Sequence, residues 1–246
     1  MAREAENLNF KSKDFVHLHL HSDYSLLQST IQLKPLASRL NELEMQACAI
    51  TDYANLYGAV SFYNTMKYAG VRPIIGYEAM LTFGSRFDRS TSLTAGERPY
   101  YHLLLLAKDL TGYENLVHLA SKAFTEGFYF KPRIDIELLA EKSGGLIAIP
   151  ALKEGPVTHF LQGGNDKIAQ ERLQQFGDIF GKENVYLEIQ DGDNGLVKRI
   201  VEFAKKTDTP LVATNDAHYL NADDERAHEV LLCIGEGKTI SGESSG

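Results

Sequence analysis

Seven short apolar runs, most of them separated by stretches of helical periodicity, constrain this chain more than any other feature. The runs are FVHLHL from Phe15, QACAI from Gln46, VRPIIGYEAML from Val71, HLLLLA from His102, GLIAIP from Gly145, VYLEI from Val185 and LVAT from Leu211. Their lengths and residue types predict strands. Between most of them, Leu33 to Leu43, Leu56 to Tyr68, Leu116 to Phe124, Ile168 to Phe180 and Leu196 to Lys206 repeat apolar residues at helical spacing. Thr111 with Glu114 has the spacing of a capping box. Parallel neighbours need crossovers, and helices supply them. The alternation predicts an α/β fold, a mostly parallel sheet wrapped by helices and either open or closed into a barrel, with the strand count favouring the barrel. Thr82 to Pro99, rich in Gly, Ser, Thr and Arg, joins two strands without a helical pattern. Those two are expected to pair antiparallel, bringing Glu78 and His102 to one end of the sheet.

Composition narrows the class. A chain of 246 residues that is 43% hydrophobic can bury a core, which excludes disorder and a small disulfide scaffold. Lys and Arg number 25 against 33 Asp and Glu, a formal charge of −8. Unaided binding to a phosphate backbone would need a basic patch, and the sequence shows none. Cys48 and Cys233 are too few for a disulfide framework or a cysteine zinc site, which fits a reducing compartment and predicts a cytoplasmic protein. The MAREAENLNFKSKD start mixes charges without an apolar run, so no signal peptide is expected, and no stretch approaches a membrane span. No internal repeat is visible, and the SGESSG tail from Ser241 reads as a cut or a linker.

The sharpest chemical signal is His17-Leu18-His19-Leu20-His21, because side chains two apart on a strand share a face. Three imidazoles together suit zinc, manganese or iron; a solvated edge strand is the plainer alternative. Asp52, Glu78, His102, Asp216 and His218 fall at or just past the ends of other predicted strands. In a barrel such ends converge on one face. A mixed imidazole and carboxylate cluster is what divalent metals use to drive hydrolysis, although each carboxylate alone is equally explained as a helix cap. His118, His159 and His228 suggest no role. LQGGNDK from Leu161 reads as a loop, and Tyr100, Tyr101 and Phe128 to Phe130 read as barrel packing in preference to base stacking.

FVHLHLHSDYSLL, AITDYANLYGAVSFY, RPIIGYE, YYHLLLLAKDLTGYENL, TEGFYFKPRID and LVATNDAHYL closely resemble the PHP domain of bacterial replicative DNA polymerase III alpha subunits. The resemblance runs from Phe15 to about Thr239, and TEGFYFKPRID and AHEVLLCIGEGKT resemble the polymerase branch in particular. It implies a distorted seven-stranded (β/α) barrel over residues 15–240, a short extension over 1–14, and over 241–246 a truncated linker toward a polymerase core. It also implies a multinuclear metal site whose ligand positions are matched by His19, His21, Glu78, His102, Asp216 and His218, whereas His17 matches no ligand.

Three positions depart from that pattern. Gln28 stands where a carboxylate is expected, Tyr53 where an imidazole is expected and Leu152 where a cysteine is expected. These changes remove donors and negative charge. The resemblance therefore implies zinc or manganese at reduced or absent occupancy, weak or lost phosphoesterase activity with no catalytic residue assigned, and a vacated metal space that Tyr53 fills. It implies a structural module of a DNA-directed DNA polymerase, a nucleotidyltransferase of DNA replication whose magnesium-dependent core lies outside this chain. The implied partners are that core, the proofreading exonuclease subunit, and DNA and the sliding clamp through the rest of the assembly. The alternatives are a stand-alone PHP metal-dependent phosphoesterase and a PHP-derived scaffold that only binds protein.

Overall fold

The computed structural model describes residues 14–89, 98–150, 153–192 and 194–239. Strands and helices follow one another as α1 (Leu33–Glu42), β1 (Ala47–Ile50), α2 (Ala59–Tyr68), β2 (Arg72–Thr82), β3 (Tyr101–Ala107), α3 (Leu110–Thr125), β4 (Phe128–Tyr129), β5 (Lys131–Asp135), α4 (Ile136–Glu141), β6 (Leu146–Ile149), α5 (Pro156–Gln162), α6 (Asp166–Phe180), β7 (Leu187–Gln190), α7 (Asn194–Thr207), β8 (Leu211–Thr214) and α8 (Glu225–Glu236). No helix among the described residues is long and apolar enough to cross a membrane.

The strand pairings run in a closed circuit. The segment after Phe15 bridges to β1 through His17 and Cys48, β1 runs parallel to β2, β2 pairs antiparallel with β3, and β3 pairs antiparallel with β6. Ala148 of β6 then bridges to Val185, β7 runs parallel to β8, and Leu20 bridges to Ala217 just past β8. β5 pairs with the far end of β2, and β4 is a short edge beyond it.

Alternation along each strand sorts the side chains into two environments. Tyr77, Ala79 and Leu81 of β2, Tyr101, Leu103 and Leu105 of β3, and Leu146 and Ala148 of β6 pack in the core formed with α3, α5, α6 and α7. The opposite faces meet inside the circuit, where Ala49, Leu104, Leu106 and Ile149 pack with Leu18, Ile74, Ile147, Tyr186 and Val212. Continuing along those same faces replaces oil with polar groups: Ile74 gives way to Glu78, Leu104 to His102, Tyr186 to Glu188, and Val212 to Thr214 and Asp216. β3 is antiparallel, so its beginning lies where the parallel strands end, and His102 joins the same polar mouth. A third cluster, built from α1, α2, Leu20, Cys48 and Ile50, covers the outside of the first segment and β1. Burial pushes the Cys48 thiol up to about 12.

Six of the seven expected strands form, and the β2–β3 pair is antiparallel as expected. The first run is held by isolated bridges instead of a ladder, because the chain bends between His17 and Leu20. β4, β5, α4 and α5 lacked a clear periodic signal, being short or poorly patterned, whereas the last helix expected around His228 forms as α8. The expected capping box at Thr111 and Glu114 does not form: α3 begins earlier, and Asp109 caps it by accepting from the Gly112 N–H at 2.9 Å. Barrel packing holds for Tyr101, but Phe128 and Phe130 are 47% and 79% exposed on the β4 edge. Within LQGGNDK only Gly163 to Asn165 form the loop between α5 and α6, its two ends belonging to those helices. Most of residues 1–14, the SGESSG tail and Leu152 lie outside the described residues.

The first turn of α3 sits hard against the turn that opens β6. A Cβ on Gly112 would lie 2.0 Å from the Gly145 carbonyl oxygen, whereas one on Gly144 would meet nothing closer than 3.6 Å. Gly112→Ala should therefore lower stability by about 1–3 kcal/mol despite alanine's better helix propensity. Gly144→Ala should stay within about 0.5 kcal/mol. Urea denaturation of both variants checks this, and equal midpoints would refute it.

Candidate metal centre

The polar mouth is assembled from segments far apart in sequence. His19 and His21 are placed by backbone pairing with the residue after Asp216, since His21 N–H donates to the Ala217 carbonyl at 2.9 Å and Ala217 N–H to the His19 carbonyl at 3.2 Å. Asp216 has φ 48°, in the left-handed region that costs an ordinary residue about 1–2 kcal/mol and that aspartate tolerates better. Glu78 reaches in from β2.

His19, His21, Glu78 and Asp216 present donor atoms that all lie within 4.8 Å of one another, a group that could hold a metal ion. His19 Nε2 is 3.0 Å from Glu78 Oε2, 3.2 Å from Asp216 Oδ1 and 3.2 Å from His21 Nε2. His21 Nε2 is 2.9 Å from Glu78 Oε2 and 3.2 Å from Asp216 Oδ1. Ligands held about 2.0–2.2 Å from a divalent cation such as zinc sit about 3.0–3.5 Å apart, so the donor set fits one ion. Charge points the same way. Glu78, Glu188 and Asp216 surround two imidazoles, and among the described residues no Lys or Arg pairs with any of the three carboxylates. Glu78 and Glu188 are buried and Asp216 is half-buried, and carboxylates so placed need a compensating cation.

His102 and His218 lie beside this group, each engaged by the protein. His102 Nδ1 is 2.6 Å from Glu78 Oε1, and the Tyr53 hydroxyl is 2.9 Å and 2.7 Å from its two ring nitrogens. Glu154 approaches His102 Nε2 at 3.3 Å. His218 Nδ1 donates to the Gln28 carbonyl at 2.8 Å, its Nε2 is 3.0 Å from Asp216 Oδ1, and its ring stacks on His21 with centroids 4.4 Å apart. Gln28 thus contributes its backbone oxygen, which also accepts from His228 Nε2 at 2.8 Å. Asp52 is committed elsewhere: it accepts from Ser22 N–H, Ser22 Oγ and Ser25 Oγ and holds the loop after His21. His17 stays outside the group, its ring edge-on to Phe15 at 5.0 Å and its buried Nδ1 without a partner among the described residues. The bend after His17 breaks the alternation that would have aligned three imidazoles.

Two contributors escaped the sequence reading. Glu188 is 2% exposed, with Oε1 2.9 Å from His19 Nδ1. Its signal was a lone acid in the otherwise apolar VYLEI run, on the face opposite Leu187. His228 left none, because its carbonyl partner 200 residues away is set by folding alone.

Burial works against charge on His19, but the Glu188 and Asp216 carboxylates overcome it and hold the pKa well above the usual value. His21, buried against Glu78 and Asp216, is pushed up to about 9. Burial, reinforced by His21 and His19, lowers His102 to about 4 despite Glu154 and Asp216. Glu78 and Asp216 resist burial and fall below the usual carboxylate range, because imidazoles flank both.

For His21, a folded pKa near 9 above an unfolded value near 6.5 gives stability that is full below about pH 6.5 and lost as pH rises through about 9. For His102 the sign reverses, and stability is lost as pH falls from about 6.5 through about 4. The metal-free chain should thus melt highest near pH 6.5 and lower at about pH 9.5. Divalent cations need unprotonated imidazoles, so added zinc should raise the melting temperature more at about pH 9 than at pH 6.5. Thermal melts with chelator or zinc across this range test both; a zinc shift that shrinks as pH rises would refute the cation reading.

The comparisons with known proteins agree with this architecture. The PHP domain family profile matches residues 17–192. The DNA polymerase III subunit alpha of Aquifex aeolicus is 44% identical over 242 residues, covering 96% of this chain and 21% of that protein. That of Thermus aquaticus is 45% identical over 236 residues, covering 92% and 19%. The chain spans about a fifth of the length of the curated relatives it matches. Among solved structures, an amidohydrolase from Chromobacterium violaceum superposes with TM-score 0.53 at 12% identity, covering 88% of this chain and 96% of its own. A proposed metal-dependent phosphoesterase from Bifidobacterium adolescentis gives 0.52 at 12% identity, covering 93% and 98%. At that identity the likeness is one of fold. A closed circuit of strands around a polar mouth, together with a profile match across most of its length, means that this chain belongs to the PHP domain family.

Proposed function

We propose that this chain is the PHP portion of a DNA polymerase III alpha subunit, from its N-terminal part, and that its mouth holds one divalent cation, zinc or manganese, as a structural pin. His19, His21, Glu78 and Asp216 are the ligands. The observation that carries this reading is the fate of the neighbouring imidazoles: His102 is occupied by the Tyr53 phenol and Glu78, and His218 by the Gln28 carbonyl and Asp216. Groups so engaged are poorly placed to serve further cations, and Tyr53 and Gln28 add no imidazole or carboxylate of their own.

A cation in the four-donor group would supply Lewis acidity toward a phosphoryl oxygen. The residues do the holding. Glu78 spans the site, with Oε2 in the donor group and Oε1 on His102. The Asp52 contacts fix the loop after His21, and Tyr53 fills space beside His102. Phosphoester hydrolysis is therefore weak or lost. DNA-directed DNA polymerisation, with its magnesium ions, belongs to a polymerase core outside this chain. That core, the proofreading exonuclease subunit, and DNA and the sliding clamp through the wider assembly are the partners. The setting is the cytoplasm, consistent with two free cysteines.

Native mass spectrometry of the chelator-stripped chain, offered zinc and manganese separately, should find one tightly bound ion, with little or no turnover of a chromogenic phosphodiester. His19→Ala or Asp216→Asn should abolish that binding. Two or more ions with steady turnover would overturn the proposal and restore the stand-alone phosphoesterase.

A further inference from the structure

We infer that Glu188 is a positioning residue that sets His19 for its cation, an inference that rests on the metal-binding reading above. Its Oε1 lies 2.9 Å from His19 Nδ1 and also accepts from the Thr214 hydroxyl. Its other oxygen, Oε2, is buried with no partner among the described residues. A carboxylate kept only for packing would need both oxygens satisfied, because a buried unpaired acceptor is costly. Glu188 instead concentrates its contacts on the oxygen that faces His19.

An imidazole offers a lone pair at one nitrogen only when its proton sits on the other. With Nδ1–H donated to Glu188, the His19 Nε2 lone pair faces Glu78 Oε2 at 3.0 Å, Asp216 Oδ1 at 3.2 Å and His21 Nε2 at 3.2 Å. A carboxylate behind a ligating imidazole also strengthens it as a donor. His21 has a weaker counterpart, the neutral Ser25 hydroxyl 3.2 Å from its Nδ1. Thr214 extends the arrangement, for it precedes Asp216 by two residues. One stretch of chain therefore supplies a ligand and orients the carboxylate that orients another ligand.

The test compares the 246-residue chain with its Glu188→Gln and Thr214→Val variants. Zinc and manganese affinities are read by competition with a chromophoric chelator, site geometry from the absorption bands of bound cobalt(II), and folding from circular dichroism without metal. Glu188→Gln should keep the stoichiometry, bind about 10–100-fold more weakly and shift the cobalt bands. Thr214→Val should move both readouts in the same direction by less. Affinity and cobalt spectrum unchanged in Glu188→Gln would overturn the inference while leaving the metal site standing. If that variant does not fold, Thr214→Val decides by the same readouts. A parent chain that binds none of these ions would instead overturn the metal reading itself.

Discussion

The barrel closes where the chain after His19 meets the chain after Asp216. The Leu20 to Ala217 bridge joins the first and last members of the circuit, flanked by backbone bonds of 2.9 Å and 3.2 Å. Such bonds contribute about 1 kcal/mol each net, too little to fix so distant a closure alone. The same segments also carry His19, His21 and Asp216, whose side chains interlock with Glu78 from the opposite side. Closing the barrel and assembling the donor group are thus one event, and the position of each ligand depends on the seam.

That arrangement places unusual demands on charge. Glu78, Glu188 and Asp216 converge where burial disfavours ionisation, and imidazoles are the only basic groups paired with them among the described residues. Raised pKa values at His19 and His21 place protons where the three carboxylates would otherwise lack a counter-charge. His102 responds oppositely because it stands further along the mouth, buried and beside two imidazoles that carry charge. Adjacent histidines in one cluster are therefore driven to opposite protonation states by their neighbours.

Much of the fold was legible in the chain. Runs such as HLLLLA and VRPIIGYEAML state their strands through apolar residues, and the absence of helical periodicity in the sequence between them announced the antiparallel pair that brings His102 to Glu78. Less periodic parts were not legible. The first run looks like a regular strand, yet a bend reduces it to bridges and removes His17 from the cluster, because pairing partners on both sides set its path. Asp109 replaced Thr111 as the cap of α3, since the nearby β6 turn fixes where that helix starts.

The sequence by itself determined the alternation of strand and helix, the two-residue spacing that lets His19 and His21 converge, and the residues standing at Gln28 and Tyr53. These are local properties, written in neighbouring side chains. Only the tertiary structure decided that Glu188 backs His19, that the Gln28 carbonyl gathers His218 and His228, and that Asp52 serves the loop after His21. Those contacts join residues 27 to 200 positions apart, and their partners are chosen by barrel closure, which no local pattern encodes.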